Sequence, residues 1–105
     1  MSRWGFGSAV HGTANMGTVT AQVLAANANR VYALITNDSD TAVYLRFGTA
    51  AAVANEGVRL GTGAGERSHE MSRDKGNVWT GAVQGISSAA SKKVIAVEGE
   101  SLNPT

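Results

Sequence analysis

The sequence has 105 residues, the size of one domain with a single hydrophobic core. Nine lysines and arginines against eight aspartates and glutamates give a net charge of +1, too little to indicate a surface for nucleic acid or an anionic membrane. Cysteine is absent, which excludes disulfides, a thiolate nucleophile and cysteine-ligated zinc. Without a membrane-length apolar run or a signal-peptide pattern, we expect a soluble, unprocessed protein made in the cytoplasm.

The low content of charged residues is the most informative feature of the composition. Charged residues make up 16% of the chain, whereas about 25% is typical of soluble domains. Glycine, alanine, serine, threonine and asparagine take their place. A nearly neutral surface of small side chains keeps monomers apart poorly and suits faces that pack against neighbours. The composition therefore favours a protein that functions in an assembly.

The first sixteen residues, MSRWGFGSAVHGTANM, follow neither the helical nor the strand period. We predict an extended N-terminal arm over residues 1–16, with no strand of its own. Three residues of the arm, Arg3, Trp4 and Phe6, are of types common at interface hot spots, and we predict that they bind a partner. The alternation that begins after Gly17 predicts a β-domain over residues 17–100, followed by a polar tail over 101–105.

The segment RVYALIT predicts a strand that is apolar on both faces. Val31, Ala33 and Ile35 would share one face, and Tyr32 and Leu34 the other. An antiparallel strand with one solvated face alternates between apolar and polar residues, so this pattern indicates burial on both sides. We predict that the face with Tyr32 and Leu34 lies in a subunit interface.

The next strand, AVYLRF, places Tyr44 and Arg46 on the face opposite its apolar residues. We predict the same interface role for Tyr44 and Arg46. Further short strands follow at VRL, RSHEM, VWTGAVQGI and KKVIAVEGE, with turn signals about every ten residues. About seven to eight short strands with such turns predict an all-β fold, an antiparallel β-sandwich or jelly roll.

The polar segment NDSDT invites a metal-site interpretation because Asp38 and Asp40 lie close together. A calcium loop of the EF-hand type needs glycine at the sixth position, and counting from Asp38 that position is Val43. Aspartate, asparagine and serine also cap tight turns. We predict a hairpin loop between two strands, without a metal.

The glycines of GTGAGE resemble a phosphate-binding loop. Nucleotide fingerprints need a helix directly after the glycines, and the following RSHEM has no helical period. We predict that Gly61, Gly63 and Gly65 serve a loop with positive φ angles.

Ser68, His69 and Glu70 superficially offer a nucleophile, a base and an orienting carboxylate. Neighbours on a strand point to opposite faces, so His69 and Glu70 cannot act together on one substrate atom. The only other histidine, His11, lies in the predicted arm. We predict no catalytic, cofactor-binding or metal-ligating residues and no enzymatic activity.

Tyr32, Tyr44, Phe47 and Trp79 could form an aromatic platform for sugars, and Tyr44 with Arg46 would suit such a face. The alternative is that tyrosine and tryptophan lie in an assembly interface with their polar tips in water. The sequence pattern favours the interface.

Five motifs in chain order resemble small structural proteins encoded in the morphogenesis region of tailed bacteriophages. The shared pattern is a "vYLrFG" strand end, a "G-x-x-L" step, an "yEM"-like strand, "TGAVxGIS" and a "KVxVxEG" ending. Their counterparts in this sequence are residues 43–48, 57–60, 69–71, 80–87 and 93–99. The resemblance covers roughly residues 18–100 and leaves out the arm.

This resemblance implies a β-sandwich that assembles on the phage virion. The expected role is a head decoration (cement) protein, a homotrimer bound to the major capsid protein on the capsid surface. The alternatives are a tail or fibre component and a carbohydrate-binding adhesion module that uses the face with Tyr44 and Arg46.

Overall fold

A computed structural model describes residues 6–53 and 55–101, and this part of the chain is all β. Eight strands form two four-stranded antiparallel sheets that pack face to face, so the prediction of a β-sandwich is confirmed. The strands are β1 (Phe6–Met16), β2 (Ala21–Leu24), β3 (Arg30–Asn37), β4 (Val43–Phe47), β5 (Val58–Leu60), β6 (Ser68–Ser72), β7 (Val83–Ser87) and β8 (Lys92–Ser101).

The chain alternates between the two sheets. Sheet A has the strand order β1-β8-β3-β6, and sheet B has the order β2-β7-β4-β5. Only β4 and β5 are consecutive strands that pair with each other, and every other connection crosses from one sheet to the other. Each sheet therefore has one face on the shared core and one outer face.

The core lies between the inner faces, where alternate residues of the central strands β3, β4, β7 and β8 are buried. Gly85 of β7 faces this core, and a Cβ atom there would lie 2.5 Å from the sulfur of Met16. Glycine at this position therefore leaves room for the buried methionine. The large apolar side chains with at most 1% exposure are Met16, Ile35, Val43, Leu45, Leu60, Met71, Val83 and Val94.

The prediction that residues 1–16 contain no strand was wrong for residues 6–16. These residues form β1, which pairs with β8 from Met16 opposite Lys92 to Phe6 opposite Ser101. Glycines and small polar residues hide the strand period, and the partner strand supplies the hydrogen bonds that make the segment regular. Arg3 and Trp4 lie outside the described residues.

The predicted hairpin at residues 38–42 was also wrong, because this loop crosses from β3 in sheet A to β4 in sheet B. The buried side chain of Asn37 stabilises this crossing loop. Its Nδ2 donates to the carbonyl oxygens of Thr41 at 2.9 Å, Leu60 at 3.0 Å and Gly61 at 3.1 Å. The amide thereby ties the end of sheet A to the loop beyond β5 in sheet B.

The two aspartates of this loop point to solvent. Asp40 pairs with Lys92 at 2.7 Å and Asp38 with Lys93 at 3.5 Å, which binds the loop to the start of β8. Among residues 6–53 and 55–101, no group of three or more histidine, aspartate or glutamate side chains could hold a metal ion.

A buried arginine closes the opposite end of the sandwich. The Arg30 side chain is fully buried, and its Nε donates to the Glu98 carboxylate at 2.5 Å. Nη1 donates to the carbonyl oxygens of Trp79 and Gly81, at 2.7 and 3.0 Å, and Nη2 donates to that of Ala25 at 2.5 Å. One guanidinium therefore fastens β8 and two crossing loops to the start of β3, with its buried charge paired and hydrogen-bonded.

Candidate functional site

An apolar strip runs along the outer face of sheet A. Tyr32, Leu34 and Thr36 of β3 alternate with the core residues, and Leu34 lies opposite Val97 of β8 while Thr36 lies opposite Ile95. All five side chains are half-buried. We refer to these five residues as the sheet A strip. The sequence prediction for Tyr32 and Leu34 placed them together on one face, as observed.

Sequence reasoning missed Ile95 and Val97, which extend the apolar surface beside Leu34. The sequence KKVIAVEGE contains the pattern that would have predicted them, because Ile95 and Val97 alternate with Val94 and Ala96, which are buried. Strand β8 is thus apolar on both faces, like its neighbour β3. Two adjacent central strands with this pattern produce a strip rather than isolated apolar residues.

A polar rim borders the sheet A strip on its β6 side. The Tyr32 hydroxyl donates to Oε2 of Glu70 at 2.8 Å, and Lys75 pairs with the other carboxylate oxygen at 2.5 Å. Burial and the bond to Glu70 raise the pKa of Tyr32, while Lys75 and Tyr32 lower the pKa of Glu70. An apolar centre with a charged, hydrogen-bonded rim is the usual layout of a protein interface.

The outer face of sheet B carries Tyr44 and Arg46, and it is polar. Tyr44 of β4 lies between Ile86 of β7 and Arg59 of β5. A hydrogen bond with Tyr44 and another with Glu66 raise the pKa of Arg59. The exposed Arg46 donates to the carbonyl oxygen of Ala51 at 3.3 Å.

An open depression of about 210 Å³ adjoins this face, lined by Arg46, Val53, Glu56 and Gly57. Pockets that bury small ligands usually measure about 300–1,000 Å³ and are mostly apolar. Neither the size nor the lining of the depression is typical of a small-molecule site.

The aromatic platform, the alternative that the sequence pattern disfavoured, is divided in the structure. Tyr32 and Tyr44 lie on the outer faces of different sheets. Phe47 lies among partly buried residues around the core, stacked on Trp79 with ring centres 6.2 Å apart and beside His69 at 5.5 Å. The Trp79 indole is 40% exposed and donates to the carbonyl oxygen of Ala82. The four rings form no common surface.

His69 and Glu70 lie on opposite faces of β6, as predicted. His69 pairs with Ile35 on the inner side, and Glu70 pairs with Leu34 on the outer side.

The glycine-loop prediction holds for one residue of three, because only Gly65 has a positive φ angle, of 83°. At Gly61 and Gly63, a Cβ atom would come within 2.4 Å of the flexible carboxylate of Glu66.

Comparison with known proteins gives no match among protein-family models, curated proteins or solved structures. The described residues also contain no helix that is long and apolar enough to cross a membrane.

Proposed function

We propose that this protein is a non-enzymatic structural component of a phage virion, a head decoration protein that binds the outer capsid lattice and stabilises it. The observation that carries the proposal is the sheet A strip, a half-buried apolar surface with a polar rim on a domain of low charge. Such a surface suits contact with protein more than solvent. The motif resemblance over residues 18–100 supports the virion as its setting.

We further propose that the sandwich is a jelly roll, the eight-stranded double-sheet architecture common in viral capsid proteins and lectins. The strand orders β1-β8-β3-β6 and β2-β7-β4-β5 support this assignment. Except for β4 and β5, the neighbours in each sheet come from distant parts of the chain, as two interlocked Greek keys require.

We propose that the segment before β1 is the anchor to the major capsid protein. Tryptophan and arginine are enriched among the residues that dominate binding energy at interfaces. Arg3 and Trp4 supply both types within five residues, and Phe6 begins β1 directly after them. Several subunits bound to one lattice would add their contacts through multivalency.

The test mixes purified protein with particles that lack decoration and measures occupancy by mass and by electron microscopy. We expect saturable binding in hundreds of copies and a higher temperature of particle disruption. Trp4→Ala and Leu34→Glu should each reduce affinity by about tenfold or more. Tyr44→Ala, on the outer face of sheet B, is the matched control and should bind normally. Absence of binding by the wild-type protein would contradict the proposal, and only a handful of copies per particle would favour a tail or fibre component.

A carbohydrate-binding adhesion module remains a second candidate because Tyr44 lies beside Arg59 on a polar, accessible face that also carries Arg46. Aromatic rings flanked by hydrogen-bond donors are a common arrangement for sugars. A glycan array with wild-type protein and Tyr44→Ala distinguishes the two functions. Glycan binding that Tyr44→Ala abolishes, together with normal behaviour of Leu34→Glu, would support the adhesion module.

A further inference from the structure

Strand β1 leaves one long side of sheet A open. Within residues 6–53 and 55–101, β1 pairs with β8 alone, and the side chains from Ala9 to Thr13 are exposed. Alternate residues of an edge strand direct their N–H and C=O groups away from the sheet. These groups can accept another strand, which is the common route of edge-to-edge association.

The other three edges carry features that discourage such pairing. Strand β6 has five residues and bears the Glu70–Lys75 ion pair. Strand β5 has three residues and bears Arg59, and β2 has four residues with an irregular register. Short length, charge and bulges are the usual protections of sheet edges.

Strand β1 lacks the short length and the charges of these edges. It is eleven residues long and contains no lysine, arginine, aspartate, glutamate or proline. Its pairing with β8 is regular from Ser8 to Met16, after one irregularity between Phe6 and Ser8. The difference between β1 and the other edges indicates that this edge is used.

We propose that β1 pairs antiparallel with β1 of a second copy of this chain about a two-fold axis, so that two A sheets become one continuous eight-stranded sheet. The regular run from Ser8 to Met16 has its midpoint at Gly12, which fixes the register. Val10 then lies opposite Ala14 of the partner subunit, and His11 opposite Thr13 of the partner subunit. Residues that pair across the axis point to the same side of the sheet. The inner and outer sides of the two A sheets therefore stay continuous.

Val10 gives independent support for this occupant. It shares the inner side of sheet A with the core residues, yet it is 52% exposed because the shorter sheet B does not cover it. Pairing at Gly12 would cover Val10 with an alanine of the partner, without placing any charge opposite another. A self-complementary surface of this kind is what a two-fold interface requires.

This inference does not depend on the proposed function, and it predicts a two-fold dimer where the motif resemblance implies a trimer. Light scattering and sedimentation equilibrium of the purified protein should give twice the 10.8 kDa of one chain. Gly12→Lys should weaken the dimer about tenfold or more, because two ammonium groups would face each other at the axis. A Cβ atom at Gly12 would meet nothing within 4 Å and the position is exposed, so the first atom of the new side chain has room in the monomer.

Ser88→Lys, at an exposed turn, is the matched control and should leave the dimer unchanged. Circular dichroism and thermal unfolding verify that both variants are folded. A second experiment introduces single cysteines, which is informative because the sequence contains none. Gly12→Cys should form a disulfide-linked dimer on mild oxidation, whereas Ser88→Cys should not. A wild-type monomer at ~200 μM, or a dimer or trimer that Gly12→Lys leaves intact, would overturn the proposal.

Discussion

The charged side chain of Arg30 is fully buried. We therefore expect its replacement to have a large effect on stability. Arg30→Met should lower the free energy of unfolding by about 3–5 kcal/mol, because Glu98 would keep its charge in a largely buried site without a partner. Chemical denaturation monitored by circular dichroism measures this change.

The double variant Arg30→Met with Glu98→Leu should recover part of the lost stability, since no unpaired charge remains. Arg59→Met is the matched control, because Arg59 belongs to an exposed ion pair that contributes little. Equal effects of the Arg30 and Arg59 changes would show that the buried network does not stabilise the fold.

Asn37 and its neighbouring aspartates should differ sharply in their effects on stability. Asn37→Ala should cost about 3 kcal/mol, because it removes the donor that serves three carbonyl oxygens at the sheet crossing. Asp38→Asn and Asp40→Asn should be nearly neutral, since both carboxylates are exposed. Thermal unfolding with and without calcium measures both expectations. A calcium-dependent stabilisation that either aspartate change abolishes would support a metal site instead.

Tyr32 should ionise at higher pH than a free tyrosine. Burial first, and then the bond to Glu70, raise its pKa above 10.0. A raised pKa of this acid means that its stabilising contribution is complete below pH 10 and is lost as the pH rises through the folded-state value. Phenolate absorbance in a Tyr44→Phe background should show a midpoint above 10.0, and Glu70→Gln should lower it. A midpoint at 10.0 in both variants would contradict the described contacts.

At the scale of elements, β1 should be part of the folding unit. Deletion of residues 1–16 removes the strand that pairs with β8 and the fully buried Met16, so we expect loss of cooperative thermal unfolding. Val19→Ala, at an exposed position before β2, is the control and should leave the unfolding midpoint unchanged. A cooperative transition at the wild-type temperature after the longer deletion would show that β1 is dispensable.

The sequence predicts best those strands whose side chains alternate between core and surface. In β3, the predicted inner residues Val31, Ala33 and Ile35 are all buried, because a period of two directly reflects a sheet face. The partner strand, not the local sequence, determines whether a segment such as GSAVHGTANM becomes a strand. Strand β1 could therefore not be predicted from its own residues.

Turn chemistry likewise predicts where the chain reverses but not which sheet it enters next. The segment with Asp38 and Asp40 has residues suited to a hairpin, and the same residues serve the crossing from sheet A to sheet B. The decisive contacts come from Asn37 to residues 60 and 61, more than twenty positions away. Such long-range hydrogen bonds leave no local pattern. The sheet A strip was only half predicted for a related reason. The local pattern of β8 shows that Ile95 and Val97 share a face, but only the pairing of β3 with β8 places them beside Leu34 and Thr36.

At the scale of the whole molecule, strand order predicts slow folding. Only β4 and β5 pair with a sequence neighbour, whereas β1 and β8 must meet from opposite ends of the chain. Closing such long loops before contacts form makes refolding of all-β domains take milliseconds to seconds. Stopped-flow fluorescence of Trp79 in a Trp4→Phe background measures the rate. Complete refolding within microseconds would contradict this topology.

The pairing of β1 with β8 also determines how the molecule responds to pulling. Phe6 lies opposite Ser101, so both ends of the described chain meet at the same end of one ladder. A force applied between these two residues would act across the strands. It would break the hydrogen bonds of the ladder one pair at a time instead of straining all of them together. The domain should therefore yield at low force when it is stretched between Phe6 and Ser101.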